Sequence, residues 1–94
     1  MAKRPTPYNE TLTTKDTEYK INLPMGTEKI MIQARTANVI RIAFVTGKVA
    51  TPTNPYYTIK AGSTYYDNDI DLQGSLYLAS DTDGVIAEIL VWVR

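Results

Sequence analysis

No stretch of this chain sustains a 3.6-residue apolar repeat over ten positions, whereas apolar side chains recur at every second position along most of its length. That period belongs to strands, whose successive side chains point to opposite faces of a sheet. Residues 28–36 alternate cleanly, with Ile30, Ile32 and Ala34 on one face and Lys29, Met31, Gln33 and Arg35 on the other. This is the pattern of a half-buried strand. Residues 39–46 set Ile40, Ile42 and Phe44 against Val39, Arg41, Ala43 and Val45, and the two runs are expected to pair as a hairpin. Further short strands are expected over 11–14, 18–23, 56–60, 64–66, 75–79 and 85–93. Turn signals separate them at Pro24-Met25-Gly26, across 47–55, at Ala61-Gly62-Ser63 and at Asp83-Gly84, where Gly, Pro and Asp favour tight reversals. Strands this short and this regularly spaced predict an all-β fold. The expectation is a single small antiparallel β-sandwich of jelly-roll or immunoglobulin-like type.

Ninety-four residues suffice for one domain. Residues 1–9, with two prolines and no apolar period, are expected to be an extended N-terminal arm, and residues 10–94 the sandwich. A core this small leaves a modest stability margin. The chain has neither Cys nor His, so no disulfide and no common zinc ligand is on offer. Contacts between subunits are the expected supplement. Ten basic and ten acidic side chains cancel, which argues against a nucleic-acid partner, since phosphate neutralisation needs a basic excess. No run approaches the ~20 apolar residues of a membrane span, and Pro5-Thr6-Pro7-Tyr8-Asn9 is no signal-peptide core. Cytosolic synthesis is expected.

The final strand carries the most information. Val85, Ala87, Ile89, Val91 and Val93 form one face, the expected core. The other presents Ile86, Glu88, Leu90, Trp92 and Arg94, three of them large and apolar where a solvated face would be polar. Coverage by the arm or long loop is one explanation. A subunit interface at Ile86, Leu90, Trp92 and Arg94, with Tyr8 and the arm reaching a neighbour, is the other.

Catalysis needs a tuned acid, base or nucleophile. Here the carboxylates cluster in turns, where they bond nearby backbone, so no enzyme, no cofactor and no metal is expected. Asp67-Asn68-Asp69-Ile70-Asp71 spaces carboxylates as calcium loops do, but Leu72 and Leu78 stand where such a loop needs Gly and Glu. The chain has seven tyrosines. Tyr56-Tyr57 and Tyr65-Tyr66 each send one ring inward and one outward. With Asp67 and Asp69 they form a candidate ligand surface for sugar rings or a partner protein.

Three series carry a family likeness: Leu23-Pro24-Met25-Gly26-Thr27-Glu28-Lys29-Ile30 with Gln33-Ala34-Arg35-Thr36 and Arg41-Ile42-Ala43-Phe44; Tyr57-Thr58-Ile59-Lys60-Ala61-Gly62-Ser63-Thr64-Tyr65; and Leu76-Tyr77-Leu78-Ala79-Ser80-Asp81-Thr82-Asp83-Gly84-Val85 with Glu88-Ile89. Together they resemble small β-sandwich proteins encoded among the structural genes of tailed phages. The resemblance spans roughly residues 19–92 and rests on turn and core residues. It implies a virion part such as a capsid decoration (cement) protein, a head-fibre base or a head–tail accessory. The expected partners are copies of the chain itself, with a trimer as one candidate, and the major capsid protein or another virion protein. The rival expectation is a carbohydrate- or receptor-binding module of a tail or head fibre.

Overall fold

The computed structural model describes residues 4–68, 70 and 72–93, the side chains of residues 72 and 73 excepted. Seven strands follow in order: β1 (Thr6–Leu12), β2 (Tyr19–Ala34), β3 (Ile40–Ala43), β4 (Tyr57–Ile59), β5 (Thr64–Asp67), β6 (Leu72–Ala79) and β7 (Val85–Val93). All pairings are antiparallel, and the strands form one open sheet in the order β1-β7-β2-β6-β3-β4, with β5 also paired to β2.

β2 organises the sheet. The sequence predicts two strands parted by a turn at Pro24-Met25-Gly26, yet the chain passes through that segment without leaving the sheet. Gly26 takes a φ of 84° there, a conformation that costs any residue with a Cβ. The hydroxyl of buried Thr27 donates to the Pro24 carbonyl at 2.7 Å and ties the corner. The register against β6 slips between Leu23 and Thr27, and that against β7 slips between Thr27 and Lys29. Extra residues of this kind bend a strand. They also switch which parity faces inward: Ile21 and Leu23 before the corner, Ile30 and Ile32 after it, are all buried.

The bend gives the sheet two halves. β1, β7, the later part of β2 and β5 make one; the earlier part of β2, β6, β3 and β4 make the other. Ile30, Ile32, Ile89 and Val91 of the first half join Ile40, Ile42, Ile59 and Leu78 of the second in a single apolar cluster. Burial of each such side chain contributes about 1.5–3 kcal/mol.

Two expectations are corrected here. The runs 28–36 and 39–46 do not form a hairpin, because β3 pairs β4 and β6. Ile30–Gln33 of β2 already has β7 on one flank and β5 on the other, so the chain carries β3 to the other half. Nor do residues 6–9 form an arm. All of β1 pairs with β7, from Thr6↔Val91 to Leu12↔Val85, which satisfies backbone groups that β7 would otherwise leave bare. Tyr8, Glu10 and Leu12 share the core-side parity of β1. Leu12 is fully buried, Tyr8 packs on the core, and Glu10 is half-buried. Tyr8 thus packs, half-buried, on its own core.

A second, smaller cluster lies under the 47–55 loop, built from Ala43, Val49 and Ala79 with Tyr56 and Tyr77 against it. Arg41, placed by alternation on the outward side of its strand, is only 7% exposed because this loop covers it. Its Nε donates to the Val49 carbonyl at 2.7 Å, and its Nη2 donates to Asp16 Oδ1 at 2.8 Å and to the Ala50 carbonyl at 3.4 Å. The Glu18 carboxylate accepts from the Thr46 hydroxyl and the Gly47 amide, pinning the start of the same loop.

Candidate interaction surface

The outer face of the β1–β7–β2–β5 half reads as transverse rows, because the register places one residue of each strand side by side. One row is Pro7–Leu90–Met31–Tyr66, apolar from edge to edge. The next is Asn9–Glu88–Gln33–Thr64, polar throughout. Gln33 Nε2 donates to Glu88 Oε1 at 3.0 Å, Arg35 Nε donates to Glu88 Oε2 at 2.9 Å, and the Thr64 hydroxyl donates to Gln33 Oε1 at 3.1 Å. These donors hold the Glu88 carboxyl below its ordinary range, the Gln33 bond contributing most and Arg35 next. On the far side of the apolar row, Trp92 stands beside Lys29. A shallow, mainly apolar groove runs between the apolar and polar rows.

Ile86, Leu90 and Trp92 all lie on this face and all are half-buried, so the strand's second face is apolar as expected while its rings and branches are partly covered. Val85, Ala87, Ile89 and Val91 fill the core. Val93, expected inward, is exposed, and it pairs with Thr27 at the corner of β2. Arg94 and Asp69 lie outside the described residues.

The tyrosine pairs split as alternation predicts. Tyr57 is 55% and Tyr66 51% exposed, while Tyr56 packs on the smaller cluster and Tyr65 on the main core. They do not make one surface. Tyr66 belongs to the apolar row of the outer face. Tyr57 and Tyr65 come together elsewhere, with ring centroids 5.4 Å apart and planes tilted by 59°. The Tyr65 hydroxyl points to Asp67 Oδ2 at 3.4 Å. Burial first, and then the Asp67 charge, push the Tyr65 phenol above its usual pKa.

Beside that ring pair, Phe44, Val45, Pro55 and Tyr56 complete a second apolar surface. Phe44 is 44% and Val45 59% exposed. Sequence reasoning missed it, because Phe44 continues the alternation of Ile40 and Ile42, and only the end of β3 at Ala43 releases it. The two apolar surfaces share no residue. Tyr65 and Tyr66, neighbours on β5, serve one each. Among the described residues no group of three or more His, Cys, Asp and Glu is placed to hold a metal. The chain matches no family model, no curated protein and no solved structure.

Proposed function

We propose that this chain is a non-enzymatic structural protein of a phage virion, a capsid decoration (cement) protein that stabilises a shell through repeated subunit contacts. The observation that supports this reading is the pair of separate apolar surfaces on so small a chain. A cement protein must touch two things, its own copies and the shell. The outer face with Leu90, Trp92 and Ile86 is assigned to copies of the chain, and the Phe44–Val45–Tyr57 surface to the major capsid protein. The balanced charge, ten of each sign, removes long-range repulsion between crowded copies. Symmetry then multiplies individually weak contacts over the particle. The virion class itself rests on the family resemblance carried by the turn and core residues. With it goes a fold reading, a small β-sandwich, supported by a core drawn from both halves of the bent sheet. Synthesis in the host cytoplasm and residence on the virion follow from the same reading.

Co-sedimentation with shells assembled from the major capsid protein of the proposed parent phage tests the assignment. Wild type is expected to pellet with shells, and Val45→Asp with Tyr57→Ser to stay in the supernatant. Absence of wild-type co-sedimentation overturns the reading. The tilted Tyr57–Tyr65 pair, with Ser63 and Thr64 alongside, favours one rival, a saccharide stacked on the rings. Glycan-array binding that vanishes in Tyr57→Ala would transfer the assignment to a receptor-binding module.

A further inference from the structure

The outer face of the β1–β7–β2–β5 half has an internal symmetry that selects its occupant. Consider an axis parallel to the strands, lying above the sheet midway between β7 and β2. A half-turn about it lays a second copy face down on the first and leaves each transverse row opposite itself, with β7 over β2 and β1 over β5. The register then fixes every facing pair. Leu90 meets Met31 of the other copy, and Pro7 meets Tyr66. The Lys29 ammonium comes over Trp92, the best aromatic ring for a cation. Glu88 meets the Gln33 amide, extending the hydrogen-bonded row across the contact. Among the described residues no cation faces a cation and no carboxylate faces a carboxylate. A half-turn about an axis along the rows would instead set polar row against Trp92 and Lys29, and stack β1 on β1.

We infer that this face pairs with the same face of a second copy through a two-fold axis running along β7 and β2. It is a closed, isologous contact, and aligned sheet packing keeps strand directions within about 30° of one another, as this axis requires. The inference deepens the assembly reading and rests on it only for assigning this face to a copy of the chain and not to the shell. The rows span four strands about 4.8 Å apart and about six residue rises, a footprint of roughly 400 Å² per copy. A standard stable interface takes about 800 Å² per partner. The isolated pair is therefore concentration-dependent, and a shell that gathers copies together would complete it.

The chain has no cysteine, so introduced thiols report without background. Pro7 and Tyr66 are both exposed and sit at opposite ends of the apolar row. In the inferred pair Pro7 faces the other copy's Tyr66 across sheets about 10 Å apart, while two Pro7 positions are offset sideways by roughly 14 Å. Pro7→Cys and Tyr66→Cys chains of different mass are mixed at millimolar concentration and treated with a short homobifunctional maleimide. A cross-linked heterodimer is expected, with each variant alone remaining uncross-linked. Self-linking of Pro7→Cys, or equal linking of all combinations, overturns the inference, as does wild type that scatters light as a monomer up to millimolar concentration. Loss of shell co-sedimentation with the heterodimer intact would remove the cement reading and leave the two-fold pair standing. The converse result would do the reverse.

Discussion

The two stretches of β2 are built from the same kinds of residue and are held in different ways. After the corner, Ile30 and Ile32 have no exposed surface, and Ile30–Gln33 has a strand on each flank. Before it, Ile21 keeps 8% of its surface exposed, and β6 is the partner strand of Tyr19–Leu23. That half of the molecule is braced by polar clamps instead, with Arg41 and Glu18 holding the 47–55 loop. The contrast teaches that the burial of a residue in a small sheet follows the number of strands beside it, while Arg41 and Glu18 add a captured loop to a half that has as many strands as the other.

The largest effect is expected where flanking is complete. Ile32→Ala should cost about 3–4 kcal/mol and Ile21→Ala about 2 kcal/mol in urea-denaturation midpoints, because the cavity left by Ile32 is enclosed on all sides. Equal losses would break the comparison. Arg41→Ala comes next, at about 2–3 kcal/mol, since it strands the Val49 carbonyl in a covered site. Arg41→Lys should recover little, a single ammonium being unable to reach all three acceptors in the guanidinium's geometry. Hydrogen exchange of the 47–55 amides would separate loss of the clamp from general destabilisation. Gly26→Ala should cost about 1–2 kcal/mol through its positive φ. Its signature is a change felt in both stretches at once, read by comparing exchange at Ile21 and Ile32.

The smallest effect is on the outer face. The Glu88 carboxyl is held low by Gln33 and then Arg35, so its contribution is present above the ordinary carboxylate range and is lost as pH falls through the lowered value. Melting temperatures of wild type and Glu88→Gln should therefore differ slightly at neutral pH and converge in acid.

Much of the fold was legible because alternation is a local signal. Ile30 and Ile32, and Val85 through Val91, declared their inward faces without reference to any neighbour. The corner was not legible: Pro24-Met25-Gly26 has the composition of a chain reversal, and only the register of β6 and β7 on either side makes it a bend. β1 was masked by Pro5 before it and Pro7 within it, although Pro7 is tolerated at the end of a sheet. The outer face was half legible. Ile86, Leu90 and Trp92 stood out in one strand, but Pro7, Met31 and Tyr66 join them only through pairing across four strands. Alternation sets Arg41 on the side opposite Ile40 and Ile42 and cannot say that the 47–55 loop lies over that side.

β1 ends the strand order, and along it sit a proline, which has no amide hydrogen to offer, and a carboxylate turned toward the core side. Both are known safeguards against a sheet recruiting a further strand onto its border. Ribbon extension at this border is thereby discouraged. The inferred two-fold pair is made broadside and needs no free border.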